Sequence, residues 1–187
     1  MILRVEERPP MRAEELALPG APEKFVELIE GELVQTLPPS RKHNVVVWNL
    51  VSLFRELCGT RPELDFGGDN EGFLVRRDPD TLLSPDACLY RLRPELEKTW
   101  LEFAPEIAVE VLSPSNHPAE LAYKRHAYFE AGAEQFWVVD PEKKQIQFYH
   151  RNGRLVTVTG DETLEGEGIA TGMRISLAKA FRERSTA

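Results

Sequence analysis

Residues 106–116 read EIAVEVLSPSN, and the fold turns on how residues 106–112 are placed. Alternation along a strand puts Ala108, Glu110 and Leu112 on one face and Ile107, Val109 and Val111 on the other. Both faces are apolar except at Glu110, so the segment reads as a central, buried strand. A carboxylate between Ala108 and Leu112 is costly to bury unless a positive group meets it. The plain alternative is a strand-end glutamate that reaches solvent or an arginine.

The next segment predicts a helix ending near Ala131, capped by Ser115 or Asn116, with Pro118 in its first turn and Gly132 just past its end. Glu120, Lys124 and Tyr128 recur at i, i+4 and i+8 and form one stripe. If that helix packs beside the strand, the Lys124 ammonium can meet Glu110. Otherwise Glu120 and Lys124 are a solvated pair stabilising by about 0.2–0.5 kcal/mol. Upstream, Asp86 follows Ser84 and Pro85 at the head of the strand-like run DACLY. Two carboxylates converging on one cleft repel unless a cation lies between them. Oxygen ligands without His or Cys suit Mg²⁺ or Mn²⁺. An aspartate after Ser-Pro is equally a common turn former.

Further out, FVELIEGELVQT predicts a hairpin about residues 30 and 31. From Arg41 to Cys58 apolar residues recur at helical spacing, and Gly59 follows as a stop. LDFGG, GFLVR, QFWVVD, QIQFYH and RLVTVT read as strands, the last three as a meander. A strand at residues 173–175 and a short helix at 176–183 close the chain. The order predicts an α/β (α+β) fold, a mixed central sheet flanked by helices, with an N-terminal β-hairpin. Prolines cluster near the start, so residues 1–22 read as an arm with a short helix at 13–18, and residues 23–187 as a single domain.

At 187 residues the chain is long enough to bury a substantial core. The 23 Lys and Arg against 31 Asp and Glu give a net charge of -8, which argues against a broad cationic nucleic-acid surface. Arg41, Lys42, Arg76, Arg77, Lys124 and Arg125 could still form a local basic rim. Cys58 and Cys88 make neither a disulfide framework nor a cysteine-rich zinc site. Neither a signal-like apolar run nor a membrane-length stretch is present, so a soluble, cytoplasmic protein without membrane partners is expected. Abundant Arg and Glu with few Asn and Gln suggest a thermophilic source.

The ordered set SPDACLY, EIAVEVLSPSN, ELAYK, Tyr128 and FWVVDP resembles the Uma2 (DUF820) family of the PD-(D/E)XK nuclease superfamily, over roughly residues 22–150. The resemblance implies a restriction-endonuclease-like core and a metal-dependent endonuclease acting on nucleic acid, DNA first of all, as a homodimer. It implies Asp86 and Glu110 as metal ligands, with the Val111 backbone carbonyl beside them. Leu112 stands where the usual motif has its lysine, so Lys124 on the following helix takes that role. Glu27 of the hairpin would be a further active-site acid. His43 would contact the phosphate or cap its helix, Ser113 would brace the loop after Glu110, and Glu120 would orient Lys124. The competing expectation is a noncatalytic interaction or oligomerisation domain on the same fold.

Overall fold

A computed structural model describes residues 9–21, 26–35, 38–68, 71–114 and 116–183. The arm and the hairpin approach lie partly outside these residues, as does Ser115. After a 3-10 turn at Ala13–Ala17 come β1 (Val26–Ile29), β2 (Glu32–Gln35), α1 (Arg41–Cys58), β3 (Leu64–Gly68) and β4 (Phe73–Arg76). Next are β5 (Thr81–Leu83), β6 (Ala87–Arg91), β7 (Ile107–Val111), α2 (Pro118–Glu130), β8 (Gln135–Asp140) and β9 (Gln145–His150). The chain closes with β10 (Leu155–Thr159), β11 (Thr163–Glu165), β12 (Arg174–Ser176) and α3 (Leu177–Ala180).

Among the described residues the larger sheet runs β10-β9-β8-β7-β6-β3, and a smaller one runs β2-β1-β5-β4. β7 and β8 pair in parallel, joined by α2, while the other pairs of the larger sheet are antiparallel. β7 is buried along its whole length. Its Ile107, Val109 and Val111 pack with α1, α3 and the β11–β12 ribbon. Ala108 and Leu112 face the opposite layer with Tyr128, Phe136 and Val138.

The β1–β2 hairpin forms as the sequence predicts. Glu30 and Gly31 both take positive φ, 52° and 78°, the geometry of a tight two-residue turn. A side chain at Gly31 would collide with Pro10, because Met11 N–H donates to the Gly31 carbonyl at 2.9 Å. The N-terminal segment is thereby pinned to the smaller sheet.

α1 matches its expected span and is capped by Ser40, whose hydroxyl accepts from His43 N–H at 3.2 Å. α2 differs at its start. Its N-cap is His117, with no side-chain cap bond. Asn116 instead turns its Oδ1 to Ser113, accepting from the N–H at 2.6 Å and the hydroxyl at 3.0 Å. The last strand is displaced by one residue from expectation. The final helix is one turn long, starting after its N-cap Ser176 and ending at Ala180.

Candidate active site

The two sheets meet where β5 hands over to β6. β5 pairs with β1 in the smaller sheet and β6 pairs with β7 in the larger. Residues 84–86 bridge them, so the Asp86 segment touches both layers. Glu27 of β1 accepts from Ser84 N–H at 2.9 Å. Asp86 Oδ2 accepts from Val111 N–H at 2.6 Å and lies 3.2 Å from His43 Nε2. One carboxylate thus ties the first turn of α1 to the end of β7.

Lys124 comes in from α2. Its Nζ stands 2.8 Å from Glu27 Oε2, 3.4 Å from Glu110 Oε1 and 3.7 Å from Glu120 Oε1. Glu27, Glu110 and Lys124 are all about 5 % exposed or less. A carboxylate from each sheet and an ammonium from the helix between them are therefore assembled in one dry place.

The charges do not balance. Burial, partly offset by Lys124 and reinforced by the Asp86 and Glu27 charges, raises the Glu110 carboxyl to about 8. Burial alone would lower the Lys124 ammonium, but Glu110 and Glu27 outweigh it and hold it above its ordinary value. Burial and the neighbouring acids thus favour the protonated form of Glu110, while the same acids favour the charged form of Lys124. The Tyr128 hydroxyl lies fully buried one helical turn past Lys124, with no hydrogen-bond partner among the described residues. Burial first, and then Glu110 and Glu27, push it well above its ordinary value.

Among the described residues no three His, Cys, Asp or Glu side chains are grouped so as to hold a metal ion. A smaller donor set is present. In a strand the N–H and C=O of one residue point to the same side, so the Val111 carbonyl is directed toward the Asp86 side of β7. Its side chain points away from Glu110 into the α1 layer. Asp86, Glu110 and this carbonyl are all hard oxygen donors. They fit Mg²⁺ or Mn²⁺, which keep several waters.

The expected basic rim is largely absent. Arg76 pairs with Glu30, Lys42 with Glu142, and Arg77 with Glu14, Asp80 and Glu102. Lys124 is buried, and Arg125 stacks on the Tyr149 ring at 4.3 Å. In an acid-rich chain most surface cations find a nearby carboxylate. The His43–Asp86 contact is likewise not legible in the sequence, which marks each residue separately but offers no spacing that pairs them.

The model of the Uma2 family, described as "Putative restriction endonuclease", matches residues 12–178. The chain belongs to the Uma2 family. Among solved structures, a "putative nuclease belonging to DUF820" from Anabaena variabilis is similar, with a TM-score of 0.76 and 20% identity. The likeness covers 90% of this chain and 95% of that one, and it establishes that the two share a fold. No curated protein matches. The Uma2 match extends beyond the span that the sequence motifs suggest, taking in the Ala13–Ala17 turn and the start of α3. No helix among the described residues is long and apolar enough to cross a membrane.

Proposed function

We propose that this Uma2 protein is a Mg²⁺- or Mn²⁺-dependent endonuclease that hydrolyses phosphodiester bonds, most readily in DNA. The observation that carries this reading is the reach of Lys124. The motif lacks its lysine at Leu112, yet an ammonium from α2 stands 3.4 Å from Glu110. This contact supports reading Asp86, Glu110 and Lys124 as an acid-acid-lysine set of the nuclease type, with its lysine drawn from a different element.

In this reading Asp86, Glu110 and the Val111 carbonyl hold the ion. When bound, a divalent cation would make a water more acidic and draw charge from the phosphate. The chain's own residues then divide the work. His43 and Val111 N–H fix Asp86 through Oδ2, while Oδ1 takes no hydrogen bond among the described residues. Glu110, whose carboxyl burial and the neighbouring acids push up, would hold the ion as a carboxylate and so would have to release its proton first. Lys124 keeps its charge, held by Glu27 and Glu120, and offsets the negative charge that develops on the phosphate. Ser113 and Asn116 brace the loop that follows β7. The proposal includes a homodimer. β10 is an edge strand whose LVTVT run carries no charge and exposes Leu155, a surface suited to a second copy.

The test is cleavage of DNA and RNA with Mg²⁺, with Mn²⁺ and with chelator, by the wild type and by Asp86→Ala. The expected result is metal-dependent cleavage that Asp86→Ala loses. Cleavage retained in that variant, or undiminished by chelator, contradicts the reading.

A further inference from the structure

α1 buries one side against the larger sheet and leaves the other bare. On that bare side Arg41, Asn44, Trp48, Ser52 and Arg55 follow one another at three- and four-residue steps, all exposed. Trp48 is 64% exposed, the most exposed of the large hydrophobic residues described. The other tryptophans behave differently. Trp137 is buried, and Trp100 is partly covered and donates to the Ala13 carbonyl at 3.1 Å.

The charge around Trp48 runs against that of the chain. Asn49 donates to the carbonyls of Ala180 and Arg182, both at 3.0 Å, which seats the C-terminal end of α3 beside α1. Exposed Lys179 and Arg182 thereby flank the stripe. Arg41, Arg55, Lys179 and Arg182 oppose Glu56 and Glu183; Arg41 pairs with Glu183 at 3.9 Å and Arg55 lies over the Phe66 ring at 5.8 Å, and both side chains stay exposed. This is a locally positive face on a chain of net charge -8. From Arg41 to Arg55 the stripe is roughly 21 Å long at 1.5 Å per residue. Its first residue, Arg41, lies two positions before His43, which contacts Asp86.

We propose that this α1 face docks a single-stranded nucleic-acid segment, with a base stacked on Trp48 and phosphates on Arg41 and Arg55. The inference rests on the nuclease reading and adds the form of the substrate. Charge complementarity favours a polyanion over an apolar protein partner. An isolated, exposed indole between arginines suits an unstacked base, which a duplex does not offer. The Asn44 amide can donate along the same line, while the Ser52 hydroxyl donates to the Trp48 carbonyl at 2.8 Å and is left only to accept.

The test uses the full chain and a dT₂₀ oligonucleotide in Ca²⁺, which takes oxygen ligands but acidifies bound water less than Mg²⁺. Tryptophan emission should be quenched saturably. Trp48→Leu should lose the quench and bind about 10-fold more weakly, and Trp48→Phe should fall between. Arg41→Gln and Arg55→Gln should each make the slope of log affinity against log salt shallower by about 0.7. Emission unmoved at saturation, equal affinity in Trp48→Leu, no binding at low salt, or tighter binding of a matched duplex each overturns the inference. Asp86→Ala separates the two readings. It should bind dT₂₀ and not cleave it, whereas cleavage by that variant sinks the nuclease reading and leaves the stacking result standing.

Discussion

Two buried acid clusters in this chain are built in opposite ways. Asp80 is fully buried and saturated: it accepts from Ala13 N–H at 2.9 Å and pairs with Arg12 at 3.2 Å and Arg77 at 3.0 Å. Burial alone would raise its carboxyl, but the Ala13 N–H, Arg77 and Arg12 outweigh that and hold it below its ordinary value. Glu110 is also buried, and it shares one ammonium with Glu27 and Glu120. Its carboxyl is pushed up rather than down. A structural carboxylate is surrounded by more than enough positive charge. The nuclease-like cluster is left short of it, which is the condition under which a metal cation is attracted.

The contrast gives predictions of graded size. The largest effect should be on chemistry. Glu110→Ala and Lys124→Ala should each lower metal-dependent cleavage by at least about 100-fold, measured as single-turnover rates on a labelled oligonucleotide. Asp80→Ala should leave the rate per folded molecule unchanged. A rate loss at Asp80 matching that at Glu110 would erase the distinction between the clusters.

Stability should show the reverse order. Asp80→Ala leaves the Ala13 N–H and two arginines without their shared acceptor and should cost about 1–3 kcal/mol in urea unfolding at pH 7. Little or no cost would mean that the network is surface decoration.

The next effect is on pH. Because the folded Glu110 carboxyl sits above its unfolded value, the folded state holds the extra proton between pH 4.5 and about 8. Without metal, stability should therefore fall as pH rises through that window, by at most about 1.4 kcal/mol per pH unit for one proton. Glu110→Gln should flatten the slope and be more stable than wild type at pH 8.5. A wild-type slope of opposite sign contradicts the charge-deficient picture.

Tyr128→Phe should have the smallest effect. Its hydroxyl has no partner among the described residues, so removing it should change stability by no more than about 1 kcal/mol, in the stabilising direction. A loss of several kcal/mol would mean that the hydroxyl is held by a bound water or a shifted carboxylate.

The two elements that frame the site are legible in the sequence. β7 and α1 are long and periodic enough to read directly, and alternation along β7 by itself puts Glu110 and Val111 on opposite faces. β5 and β11 escape such a reading because three residues show no period. That gap matters: β5 brings Ser84 to Glu27 and joins the sheets, so the meeting of Glu27 with Lys124 is not readable from spacing. The stripe of Glu120, Lys124 and Tyr128 makes Lys124 a candidate, and the resemblance favours it, but only tertiary packing decides whether a helix stripe reaches a neighbouring strand. Asn116 looks like a helix cap and serves the preceding loop, because an Asx side chain can bond either way along the chain. Arg76, Arg77 and Lys42 look available from composition, and each is engaged by a carboxylate that lies far off in sequence or on another loop.

The most direct test of the account is a crystal of the chain soaked in MnCl₂ at pH 8 and read by anomalous scattering. One strong peak is expected between Asp86 and Glu110, within ligand distance of the Val111 carbonyl. A well-occupied soak with no peak in that cleft would contradict it, and so would a cleft in which Lys124 alone neutralises both acids.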